Sequence, residues 1–210
     1  MVVATIKRRA ILDGFTVTPK ESSPFFVPNY LLDTYPDLVF YDGDEINEEG
    51  LIFLNSLSRI YLCRKKSTEL LSYREHSSFE LTNKLRKRDF TKFEIDAVLA
   101  LLIEKNYLND RRFTEVFILS RLRKKAEGKP MILKRLMQKG ISYALSDEVY
   151  GEVVDHDLEM EILQRAFEKQ NRKYGNNNEK FINSMLRLGF NYTQIKNIIK
   201  AKEYTNFNKL

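Results

Sequence analysis

Few side chains in this 210-residue chain have the type and spacing to make or break a bond. His156 lies between Asp155 and Asp157, a trio that could be drawn around a metal ion. The other histidine, His76, is far away in sequence, and no further His or Cys stands at ligand spacing, so a solvated helix start accounts for the trio. Gly128-Lys129-Pro130 lacks the upstream Gly and the following Ser/Thr of a phosphate-binding loop, and its proline removes a needed N–H. Cys63 is the single cysteine, which excludes an internal disulfide and any multi-cysteine metal site and fits a reducing compartment. No nucleotide fingerprint or nucleophile elbow is present. The expectation is a non-enzyme without cofactor or metal.

What the residue types can do is bind an anionic surface. Residues 105–139 hold 11 Lys/Arg against 3 Asp/Glu, a surplus larger than the net +6 of the whole chain. Residues 1–56 carry 4 basic and 9 acidic side chains, so the rest of the chain is strongly cationic. Such a body is expected to meet a polyanion or an acidic protein surface. The competing reading, that Lys and Arg merely solvate helices, weakens because the charge is divided so unevenly. No stretch approaches the roughly 20 apolar residues that cross a bilayer. The start also lacks the apolar segment of a secretory signal, which predicts a cytoplasmic protein.

The elements that position these charges fall into two parts. Residues 1–46 read as a small β-containing module. Residues 2–12 are rich in β-branched types, and Asp13-Gly14 offers two positive-φ positions for a hairpin turn into Phe15-Thr16-Val17-Thr18. Phe25-Phe26-Val27 is a second extended piece between Pro24 and Pro28, followed by a helical turn around Tyr30-Leu31-Leu32. From about residue 47 the period becomes helical and repeats. Residues 77–99, 128–150 and 177–199 align as helix, tight turn, helix, and a third helix separates successive pairs. Residues 51–73 supply it first, then one capped by Asn109-Asp110, then one capped by Asp157. The spacing predicts repeats at 47–108, 109–156 and 157–205, in a mainly α protein forming an elongated curved array.

The turn repeats its physics as well as its letters. Leu81/Leu85, Ile132/Leu136 and Phe181/Met185 form inner stripes at spacing four. Each first helix ends at a position suited to a left-handed backbone, Asp89, Gly140 or Gly189. Phe90, Ile141 or Phe190 follows, then an N-cap: Thr91, Ser142 or Asn191. Glu94 and Gln194 complete capping boxes; the middle repeat has Leu145 there, which predicts a weaker start.

These residues carry a resemblance. Tyr73-Arg74-Glu75-His76-Ser77 with Glu80-Leu81 and Lys84-Leu85, Tyr107-Leu108-Asn109-Asp110 with Arg112-Phe113, Ser120-Arg121, and Gln138-Lys139-Gly140-Ile141 resemble the RecX family of recombination regulators. Arg187-Leu188-Gly189-Phe190 is similar to the same motif in a third copy. The resemblance covers roughly residues 55–200; Asn109, Asp89 and Thr114 depart from the usual family residues. It implies a monomeric cytoplasmic protein that binds the RecA recombinase, chiefly its filament on single-stranded DNA. Inhibition of ATP hydrolysis and strand exchange would follow from lodging in the filament groove, with weak non-specific DNA contact beside it. The alternative reading is a helical-repeat protein that binds DNA or RNA directly.

Placing charges on helices selects the candidate contact residues. From residue 130 to 139, Ile132, Leu133, Leu136 and Met137 share one arc, while Lys134, Arg135, Gln138 and Lys139 share the opposite one. Arg121, Arg123, Lys124, Lys125 and Lys129 form a basic rim around a helix end, where cations also suit the helix dipole. Lys84 and Arg88 repeat that arrangement. Arg74, Arg111 and Arg112 are either groove contacts or partners of Glu75, Asp110 and Glu115. Asp110, Phe113, Gly140, Ile141, Gly189 and Phe190 are expected to be structural.

Overall fold

A computed structural model describes residues 3–9, 13–33, 35–175 and 177–207 of the chain, with side chains as far as residue 201. It is mainly helical, preceded by a small antiparallel sheet. The chain divides into two compact units: residues 1–74 with 81–108, and residues 75–80 with 109–210.

In the first unit, β1 (Ala4–Arg9), β2 (Gly14–Pro19), β3 (Phe25–Pro28) and β4 (Glu45–Ile46) pair in the order β3-β2-β1-β4. The register sets Ile6 opposite Val17 and Phe15 opposite Val27, so their apolar faces meet Leu54 and Leu57 of α1 (Glu48–Tyr73) in one buried cluster. Residue 2 and residues 10–12 of the expected first strand lie outside the described residues. The Asp13-Gly14 expectation is half right. Asp13 has φ +46, but Gly14 is extended within β2. Its missing side chain serves close approach instead, since a Cβ there would stand 2.5 Å from the Val27 carbonyl oxygen.

A second cluster of the same unit joins Cys63 of α1 to Leu81 and Leu85 of α2 (Ser78–Arg86) and to Ile95, Val98 and Leu102 of α3 (Lys92–Glu104). Burial pushes the Cys63 thiol up to about 11, so it is inert packing rather than a nucleophile. Glu94 caps α3 and is also gripped by Arg59 of α1, which further donates to the Asp89 carbonyl at 2.6 Å.

The second unit carries α4 (Asp110–Lys124), α5 (Lys129–Met137), α6 (Tyr143–Val153), α7 (His156–Tyr174), α8 (Asn178–Arg187) and α9 (Tyr192–Phe207) around one apolar cluster. Asn109 caps α4 as expected, accepting from the Arg112 N–H at 3.0 Å. The cap of α7 is Asp155, not Asp157: its carboxylate accepts from the Leu158 N–H at 2.8 Å, and Asp157 sits in the first turn.

The three turns are one motif. Asp89, Gly140 and Gly189 have φ of 61°, 79° and 93°. The following residue returns its N–H to the carbonyl five back, Phe90 to Leu85, Ile141 to Leu136 and Phe190 to Met185, at 3.4, 3.1 and 3.3 Å. Each pair is also an apolar contact position, so the turn satisfies orphan carbonyls and seals the core together. Thr91/Glu94 and Asn191/Gln194 form reciprocal capping boxes, while Ser142 only accepts from Leu145. Because Asp89 holds a left-handed backbone with a side chain, Asp89→Gly is expected to raise stability by about 0.5–1 kcal/mol. An increased urea midpoint would show it; a decrease would contradict it.

Candidate partner-binding surface

The basic stretch is organised by an acid. Glu127, in the loop between α4 and α5, has a side chain only 5% exposed. Arg121, from the last turn of α4, donates Nε to Oε2 at 2.9 Å and Nη2 to Oε1 at 2.7 Å. Arg135 of α5 grips the same carboxylate from its own side, Nε to Oε2 at 2.9 Å and Nη2 to Oε1 at 3.0 Å. Burial alone would raise the Glu127 carboxyl, but the two guanidinium forks outweigh it and hold it below the usual carboxylate range. Two arginines sharing one carboxylate leave a net positive triad with fixed geometry. Sequence reasoning missed Glu127. Its signal was available, because it is the sole acid between Glu115 and Asp147.

The clamp sits on a close backbone approach. The Gly128 N–H donates to the Leu188 carbonyl at 2.8 Å, and a Cβ on Gly128 would lie 2.5 Å from the Gly189 carbonyl oxygen. The loop carrying the cations is therefore seated on the turn between α8 and α9.

A second polar joint collects the residues on which the resemblance rests. The Arg112 Nε donates to Glu75 at 2.6 Å, Asp110 accepts from the Ser78 N–H at 2.7 Å, and Ser77 donates its hydroxyl to the Lys139 carbonyl at 2.7 Å. The Lys139 ammonium pairs with Glu80 and stands 5.7 Å from the centre of the Phe117 ring. Phe79 packs directly on Gly140. Phe113, Ile141 and Phe190 are buried in the core.

The expected cations thus separate into two populations. Arg111 pairs with Glu148 and Glu152 of α6 and more distantly with Glu115, rather than with Asp110. Arg112, Arg121, Lys129, Arg135 and Lys139 are likewise in ion pairs; Lys129 reaches Asp147 at 2.8 Å and lies over Tyr150. Arg123, Lys124, Lys125 and Lys134 are exposed, with no acidic partner among the described residues. In the first unit Arg74 is exposed at the end of α1, and Arg88 turns its guanidinium back to the Lys84 carbonyl at 2.7 Å, closing the end of α2. The expected apolar arc of α5 also needs correction. Ile132, Leu133 and Leu136 are buried, but Met137, at the edge of that arc and the end of the helix, is 54% exposed. On α4, Val116 and Leu119 face solvent.

No helix of the described residues is long and apolar enough to cross a membrane. Nor do those residues place three or more His, Cys, Asp or Glu so as to hold a metal.

The fold is thus a mainly helical one that follows a small N-terminal antiparallel sheet in the chain, with a basic segment clamped between two helices of the second unit. Residues 63–102 match the family model described as RecX, first three-helix domain. A protein called regulatory protein RecX from Haemophilus influenzae (strain 86-028NP) is 35% identical over 134 residues, covering 62% of this chain and 88% of that one. A namesake from Chlorobium phaeobacteroides (strain BS1) is 40% identical over 100 residues, 48% of this chain and 64% of the relative. A crystal structure of regulatory protein RecX has the same fold, with a TM-score of 0.75 at 16% identity, over 93% of this chain and 98% of that chain. RecX from Lactobacillus salivarius gives a TM-score of 0.62 at 24% identity, over 70% of this chain and 97% of that one. The chain belongs to the RecX family.

Proposed function

We propose that this protein regulates the RecA recombinase by binding its filament on single-stranded DNA and inhibiting ATP hydrolysis and strand exchange. Family membership supports a regulatory role, and RecA is the partner that the sequence resemblance implies. The observation that carries the reading is the state of the cations. Arg123, Lys124, Lys125 and Lys134 stay exposed on a segment whose shape is set by the Glu127 clamp, so they are available to an acidic surface without rearrangement. The same proposal takes residues 1–46 as a module preceding repeats at 47–108, 109–156 and 157–205. It describes a monomeric cytoplasmic protein that acts by binding, without a cofactor or chemistry of its own.

The test is ATP hydrolysis by RecA assembled on single-stranded DNA as the protein is titrated in. The wild type is expected to inhibit, and Arg123→Glu/Lys124→Glu/Lys125→Glu to need at least about tenfold more protein for the same inhibition, because repulsion replaces attraction at an exposed rim. Circular dichroism should be unchanged, since none of the three holds the fold together. Absence of inhibition by the wild type, with salt-sensitive binding to bare DNA, would instead make DNA or RNA the direct target.

A further inference from the structure

The second and third repeats treat the same cleft in opposite ways. In the second, Arg111 on α4 forks across to Glu148 and Glu152 on α6 and closes the space between the two helices. Setting Gly140 on Gly189 brings Phe113 onto Ile162 and Thr114 onto Leu163, all four buried, so the register holds at the start of α4 and the facing part of α7. The same register carries Arg111 onto Met160, Glu148 onto Asn197 and Glu152 onto Ala201. All three members of the lock are lost together.

What stands there is a groove of about 840 Å³ between α7 and α9. Its apolar lining is Met160, Leu163, Ile198 and Ala201, and Asp157 and Glu159 bring acid to its edge, while Glu161 is paired with Arg165 at 3.7 Å. Gln194 reaches Glu159 across the groove at a long 3.4 Å. Met160 is 46% exposed, an apolar side chain left open in the position that a paired arginine occupies in the preceding repeat.

We infer that this groove receives a segment of the protein partner in which an apolar side chain stands beside an arginine or lysine. The apolar group covers Met160 and Ile198, and the cation meets the carboxylates, supplying from outside the charge that Arg111 supplies within the second repeat. Charge complementarity selects this occupant, since carboxylates at the edge repel phosphates and exclude nucleic acid. The groove is thus a second attachment point, opposite in sign to the cations of α4 and α5. The inference rests on the filament reading above.

The experiment rebuilds the lock with Met160→Arg/Asn197→Glu/Ala201→Glu and, separately, fills the groove with Ala201→Trp at an exposed position that keeps the net charge. Affinity for RecA filaments on single-stranded DNA is expected to fall at least about tenfold for both variants, the loss of a buried apolar anchor and its ion pair. Affinity for bare single-stranded DNA should not change. Wild-type filament affinity in Ala201→Trp would overturn the inference while leaving the filament reading intact. So would an equal loss on bare DNA, which would make the groove a nucleic-acid contact. A wild-type protein that binds no filament overturns the filament reading, and the inference falls with it.

Discussion

Replacing Glu127 with alanine is expected to lower unfolding stability at neutral pH by about 2–3 kcal/mol, more than any other single change to a charged residue of the second unit. The substitution removes four donor contacts and leaves Arg121 and Arg135 facing each other. Deleting the shared partner of a buried charge cluster ordinarily costs more, about 3–5 kcal/mol, but both guanidinium groups are about one-third exposed and recover hydration. The pH dependence has a definite sign. The folded Glu127 carboxyl lies below its unfolded value, so its contribution is complete above the unfolded pKa, roughly 4.3, and is lost as pH falls through the folded one. Urea unfolding of wild type and Glu127→Gln should therefore differ most near neutrality and converge in acid. A gap independent of pH would mean that packing, not charge, holds the loop.

Gly140→Val should cost about 4 kcal/mol and drop the melting temperature sharply, for two separable reasons. A left-handed backbone costs an L-residue about 1–2 kcal/mol, and a β-branched one more. The new Cβ would also stand 2.3 Å from the Phe79 Cβ, so Phe79 or the turn must move. Either movement disturbs the neighbouring Lys139 carbonyl, which accepts from Ser77, and with it the joint of residues 75–80. Combining Gly140→Val with Phe79→Gly, which removes the Cβ as well as the ring, separates the causes. The cycle should recover the steric part and leave the backbone part. Additive losses would show that the two residues do not interact.

Much of this was legible because it is local. The turn after each first helix is specified within six residues, and so are the caps at Thr91, Asn109 and Asn191, which is why repeat alignment found them. The choice between Asp155 and Asp157 was not legible. Both are good caps two residues apart, and only the backbone shows which carboxylate meets an amide. Long-range pairing was equally hidden. A helical wheel puts Arg111 and Lys139 on outward faces, yet Glu148, Glu152 and Glu80 arrive there from elements 37, 41 and 59 residues away. The wheel reports the direction of a side chain and not its neighbour.

That distinction changes what the basic stretch means. Its excess charge is partly internal cement, with Arg111, Arg112, Arg121, Lys129, Arg135 and Lys139 each holding a carboxylate. The exposed remainder is smaller and better defined. Arg123, Lys124 and Lys125 crowd the end of α4, where the helix dipole favours them but does not neutralise them.

The most direct measurement is equilibrium binding to RecA filaments assembled on single-stranded DNA with a non-hydrolysable nucleotide, set against binding to the same DNA without RecA. The wild type should prefer the filament by at least about tenfold, and Arg123→Glu/Lys124→Glu/Lys125→Glu should lose that preference while remaining folded. Equal affinity for filament and bare DNA, with the charge reversals weakening both alike, would contradict the account.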